Sequence, residues 1–438
     1  MNAIIIGSYL ILLFYFHNRI IQSPLAGLGF WMIFLIINDI VNYNPVINMG
    51  VNIMLQDVVF CYFMFAGILR IRESTQFQND RALKWFTAML FFIVLSIPVF
   101  VLLKGHALIR SINVSRGFIL FLPAFIYFFS FSYSKKDIGE ISKWLINIAI
   151  AFAVIVFFFQ LFSKDRVVPS SAALFFAFAA IITYSRFLER GKVSDLLVGL
   201  FLLLLVVFLR HRSVWIALGL GLVFIHFYIR ISPRMLTLML VTIVALVCSV
   251  VVFPEKAKEL TNEIAESASP FRSSDDFENS TGGGRVARWT AQIDSKFEWP
   301  VLVWGLGPGY ERKVYMELAG GEKRLSTASF HNHYLEQMFR IGGISVLILL
   351  IFIFKLLKIN NSTQQSERDY QKIAMCACIF GTLGFGMMYS FTFLLFIFLG
   401  ITYSILTTNY EDSSDHTDVQ PAKRAKRLTL DAWKHEHA

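Results

Sequence analysis

Apolar residues in this chain run in blocks of roughly 15 to 20 positions with no polar face. That length crosses a hydrocarbon core as a helix. A soluble helix would carry a polar stripe at a 3.6-residue period, and the stretches 144–163 and 195–209 carry none. Strands of a membrane barrel would alternate apolar and polar residues with period two. The pattern therefore predicts an all-α, polytopic integral membrane protein. Spans are expected near 2–16, 24–41, 50–69, 85–103, 117–133, 145–163, 170–185, 195–209, 213–229, 235–253, 333–357, 372–388 and 391–407, about 12–13 in all. Charged residues are 16% of the chain, against about 25% in soluble domains. The first apolar run lacks a basic leader and a small-residue cleavage site, so it reads as a retained helix.

Lys and Arg set the orientation. Alternate loops carry Arg70, Arg72, Arg81 and Lys84; Lys135, Lys136 and Lys143; Arg186, Arg190 and Lys192; Arg230 and Arg234; Lys355, Lys358 and Arg368. These positions fall on one side, which predicts a cytoplasmic face shared with the C-terminal tail. The formal net charge of +10 is thus explained mainly by topology, and nucleic acid is not an expected partner. The opposite face still holds Lys104, Arg110, Arg116, Lys164, Arg166, Arg210 and Arg212. Positive charge is normally sparse there, so these residues are candidates for anion binding, with random scatter in short loops as the plainer reading. Cys61, Cys248, Cys376 and Cys378 all lie in apolar segments, which favours packing over disulfides or zinc.

Four regions follow: an N-terminal membrane bundle (1–253), a large extracytoplasmic loop with short helices (254–332), C-terminal membrane helices (333–407) and a disordered cytoplasmic tail (408–438). A connection of this length points to function. Within it, Val286, Trp289, Ile293 and Phe297 are spaced as the apolar face of an amphipathic helix, which could lie against the membrane surface.

Several clusters could carry chemistry. Ser329-Phe330-His331-Asn332-His333 closes the loop and opens an apolar helix. A histidine there can take a proton near neutral pH or hold an acceptor hydroxyl, and Ser329 could cap the helix. The plainer reading is that both histidines are interfacial anchors. Arg210-His211-Arg212 sits between two apolar segments, where paired guanidiniums can grip phosphate oxygens or merely snorkel. Gly282-Gly283-Gly284-Arg285, followed by Arg288, and Gly305-Leu306-Gly307-Pro308-Gly309 can present backbone amides to a ligand, though ordinary turns look the same.

In this order the clusters resemble the signature region of the O-antigen ligase and Wzy polymerase superfamily. The resemblance rests on Gly284-Arg285, Trp289, Gly305 to Gly309, His331-Asn332 with Leu335, Gly342-Gly343, and the Arg-His-Arg-Ser segment at 210–213. It covers roughly residues 195–360. It implies a GT-C-like membrane enzyme of the bacterial cytoplasmic membrane that needs neither metal nor cofactor. Such an enzyme moves an oligo- or polysaccharide from an undecaprenyl-diphosphate carrier to a glycan, lipid or protein acceptor, in contact with membrane lipids. By the same resemblance Arg210 and Arg212 hold the diphosphate, Arg285 assists, and His331 activates or positions the acceptor. His211 between the two arginines departs from the family pattern and leaves open which of them is the principal ligand. Arg288, Asn332, His333, Lys104, Arg110 and Arg116 complete the expected substrate-binding set. Inversion at the anomeric carbon is expected, since no carboxylate nucleophile is evident. A transporter or flippase would instead place charges near helix centres and show an internal repeat; a scaffold would have no reason to gather His and Arg on one face.

Overall fold

A computed structural model describes residues 2–37, 46–48, 52–73, 81–105, 122–163, 167–228, 299–310, 314–317, 323–326, 332–362 and 369–407, with 108–109, 111–112, 115, 255, 289–290 and 293 in isolation. The expected helix at 235–253, most of the loop and the tail from 408 lie outside the described residues. The helices are α1 (Asn2–Tyr15), α2 (His17–Gln22), α3 (Pro24–Leu35), α4 (Leu55–Glu73), α5 (Arg81–Lys104), α6 (Leu122–Phe129), α7 (Lys135–Phe162), α8 (Ser170–Arg190), α9 (Val193–Phe208) and α10 (Arg212–Tyr228). Within the loop lies α11 (Trp299–Trp304), and beyond it come α12 (His333–Ile341), α13 (Gly343–Ser362), α14 (Tyr370–Gly386) and α15 (Phe393–Thr407).

The frame is helical and membrane-type. Among the described residues, Leu83–Lys104, Lys135–Phe162 and Ser170–Arg190 are long and apolar enough to cross a membrane, with shorter apolar helices around them. The sequence reading missed two short antiparallel hairpins: β1 (Val46–Asn48) with β2 (Asn52–Met54), and β3 (Val314–Glu317) with β4 (Lys323–Ser326). The first occupies positions expected to open a helix at 50. α7 also begins ten residues before the expected 145, because Ser134 and Asp137 form a reciprocal cap there, satisfying amides that would otherwise be orphaned.

Three helices make the inner layer. α8 is buried over 89% of its apolar span, against 33% for α7 and 28% for α5. The Ser and Ala residues of its SSAALFFAFAA stretch let neighbours approach closely. α10 and α14 form the most extensive helix pair. They run antiparallel: Gly221 meets the Ala377 carbonyl, and Gly381 meets that of Ala217, where a Cβ would stand 2.4 Å from the oxygen. α8 also opposes α14, since the Ser185 hydroxyl donates to the Tyr370 carbonyl at 2.5 Å while Phe178 lies level with Cys378. The start of α8, the start of α10 and the end of α14 therefore share one end of the layer. A second group packs through rings: Phe86, Phe125, Phe129, Phe352 and Tyr403 join α5, α6, α13 and α15.

Candidate active site

Arg210 and Arg212 stand at the turn between α9 and α10, at the shared end just defined. α9 ends when Leu209 and Arg210 bond back to the Leu205 and Val207 carbonyls. Arg210 then takes a left-handed backbone, φ 57°, which an L-residue with a long side chain rarely adopts. α10 restarts as the Val214 and Trp215 amides donate to the His211 carbonyl. The Trp215 indole N–H reaches back to the Val206 carbonyl at 2.9 Å. His211 is buried, and its Nε2 donates to the Val168 carbonyl at 2.8 Å.

α12 enters the same end from the other side of the chain. The sequence led to a single helix over 333–357, capped by Ser329. The cap is instead Asn332, whose Oδ1 accepts from the Leu335 amide at 3.0 Å, and Gly342 breaks the helix at φ 107°. Nine residues of helix span only about 13 Å, so α12 does not cross a membrane. The Tyr334 hydroxyl donates to the Leu383 carbonyl of α14 at 2.8 Å, and Gly384 of α14 meets Ile216 and Leu220 of α10. Through α14, then, the structure brings Asn332 and His333 to the end that carries Arg210 and Arg212.

His333 is buried, and its ring stacks on Phe391 with centroids 4.1 Å apart. Its Nδ1 accepts from the Phe391 amide at 3.3 Å. That bond requires the proton on Nε2. Burial pushes the imidazole down to about 3, partly opposed by a hydrogen bond with the Gln337 side chain. The residue expected to bind substrate is thus neutral and held inside the protein. Lys104 ends α5 and is exposed. α5 runs antiparallel to α13, with Trp85 beneath Lys355 and Phe86 against Phe352, so Lys104 points to the end where α12 lies. His331, Arg285, Arg288, Arg110, Arg116, Lys164 and Arg166 lie outside the described residues.

The Gly305–Gly309 turn becomes one side of a joint with α12. The Leu306 and Gly307 amides donate to the Phe339 and Arg340 carbonyls at 2.7 and 3.0 Å. Gly305, at φ 77°, faces the Gly342 amide, and a Cβ on Gly342 would fall 2.2 Å from the Val303 carbonyl oxygen. Arg340, 5% exposed, pairs with Glu336 and donates to the Pro308 and Tyr310 carbonyls at 2.8 and 3.4 Å. Sequence reasoning missed Arg340. Its signal was an acid and a base four positions apart in a short helix that ends on two glycines. Trp289 and Ile293 are helical and pack with Val301 and Phe339 against this joint.

Residues 197–351 match the family model described as O-Antigen ligase. These residues belong to the O-antigen ligase family. The matched stretch begins in α9 and ends in α13. It therefore contains both the Arg210–Arg212 turn and the joint between Gly305–Gly309 and α12. The match over these residues agrees with the apolar helical frame of a membrane protein. No curated protein matches the chain closely enough to count as similar.

Proposed function

We propose that this O-antigen ligase family member transfers an oligo- or polysaccharide from an undecaprenyl-diphosphate carrier to an acceptor hydroxyl. The reaction takes place at the outer face of a bacterial cytoplasmic membrane, with the 254–332 loop outside and the C-terminus in the cytoplasm. One observation carries the reading: the two arginines and the start of α12, far apart in sequence but inside one family region, meet at the same end of the α8, α10 and α14 layer.

The carrier diphosphate is already a good leaving group. The protein must offset its developing charge and aim one hydroxyl at the anomeric carbon. Arg210 and Arg212 do the first, with Arg285, Arg288, Lys104, Arg110 and Arg116 contributing along the same face. Guanidiniums match phosphate oxygens bidentately, so no metal is required. His331 does the second, one residue ahead of the Asn332 cap. His333, buried and neutral, serves as the base of this segment rather than as an acceptor ligand.

The test is reconstitution with a lipid-linked oligosaccharide and identification of the products. A ladder of repeat units marks a polymerase; a single block moved to a different acceptor marks a ligase. Arg210→Ala and His331→Ala are each expected to abolish consumption of the carrier-linked glycan while the protein still inserts. Full transfer by either variant removes that residue from the site.

A further inference from the structure

His211 separates the two arginines and is buried, 5% exposed. Burying an imidazole where an apolar side chain would fit is costly, and a hydrogen bond offsets part of that cost. Its Nε2–H meets the carbonyl of Val168, 43 residues away at 2.8 Å. The other bonds described at the turn stay within the α9–α10 hairpin: Arg210 to Val207, Val214 and Trp215 to His211, and the Trp215 indole to Val206. The bond of His211 reaches another element. Val168 is itself buried, and its neighbour Val167 donates its amide to the Gln160 side chain of α7 at 3.2 Å. A continuous tie therefore runs from α7 through 167–168 to the turn.

Arg210 has a second need for that tie. Its left-handed backbone is unfavourable for a non-glycine residue, and such a conformation persists only where its surroundings over-determine it. Relaxing the turn would swing both guanidiniums, because they flank the anchored residue on either side.

We propose that His211 is a positioning residue, whose buried imidazole fixes the Arg210–Arg212 turn against the segment entering α8 and so sets where the two guanidiniums stand. The proposal rests on the reading of these arginines as diphosphate ligands. His211 touches no substrate itself.

The experiment uses the full chain in detergent, with inorganic pyrophosphate as the binding probe and a lipid-linked oligosaccharide as donor. His211→Ala is expected to weaken pyrophosphate binding and to raise the donor KM by about tenfold, the loss of one buried hydrogen bond, with the acceptor KM unmoved. A merely structural role would lower the active fraction and kcat while leaving both KM values alone. His211→Gln keeps an N–H donor at similar reach and should restore pyrophosphate affinity and donor KM to near wild type. If His211→Ala is not recovered as inserted protein, His211→Met and His211→Gln give the same comparison, bulk without a donor against bulk with one. Unchanged donor KM and pyrophosphate affinity in the donor-less variant overturn the proposal, as does a His211→Gln variant equally defective. A wild-type chain that neither binds pyrophosphate nor transfers glycan sinks the reading of the arginines and takes this inference with it. Wild-type activity with an indifferent His211 sinks this inference alone.

Discussion

The Arg210–Arg212 turn and the joint at α12 fix their backbones by opposite means. The turn holds a strained arginine in place with side-chain hydrogen bonds from His211 and Trp215. The joint uses glycines where no side chain fits, letting two backbones bond directly, and then closes with the buried Arg340 and its half-buried partner Glu336. Strain accompanies the segment that carries the two arginines. Steric necessity accompanies the segment that only has to stay put. Substitutions should therefore damage stability at the joint and function at the turn.

Gly342→Ala should have the largest effect. Its φ of 107° and the overlap with the Val303 carbonyl together should cost about 4 kcal/mol or more, read as a lowered thermal midpoint in detergent. A midpoint within a degree or two of wild type would mean that the joint is not held as described. Arg340→Met comes next. Removing one member of a buried ion pair costs about 3 kcal/mol, and the double variant Arg340→Met/Glu336→Gln should recover part of that loss, because no orphaned charge remains. A double variant worse than the single would assign the stability to the carbonyl contacts of Pro308 and Tyr310 instead.

His333 sharpens the contrast through pH. It is neutral when folded and regains its ordinary value of 6.5 when unfolded. Its contribution is thus complete above about pH 6.5 and is lost progressively as pH falls toward 3. The wild-type midpoint should fall over that window, and His333→Phe should flatten the fall. An identical acid slope in the variant would place the sensitivity elsewhere. The smallest stability effect belongs to the turn. Arg210→Gly relieves the left-handed backbone and should leave the midpoint unchanged or raise it by the equivalent of about 0.5–1 kcal/mol, while transfer is lost. A strongly destabilised Arg210→Gly would erase the distinction between the two regions.

Much of this could be read from the residues. Unbroken apolar runs announced the helical membrane frame, because the need to satisfy every backbone polar group in lipid leaves few alternatives. Arg210, Arg212, Asn332 and the two glycine clusters stood out because charged or flexible residues are conspicuous among Leu, Ile and Phe. What stayed hidden depended on distant partners. The β1–β2 hairpin sits in a sequence as apolar as its neighbours, so hydropathy could not separate it from a helix. The kink at Gly342 is dictated by the Val303 carbonyl, thirty-nine positions upstream. Nothing in the sequence sets Arg340 apart; the Pro308 and Tyr310 carbonyls beside it do. His333 has the same composition signal as His331, and only Phe391 marks it as an interior group.

α8 carries a consequence of its own. A helix with almost no lipid-facing surface does not feel hydrophobic mismatch directly, whereas α5 and α7 must tilt when bilayer thickness changes. Because α8, with α10 and α14, is the mount for both the arginine turn and α12, thinner or thicker membranes should shift the periphery while the spacing between those two segments stays constant.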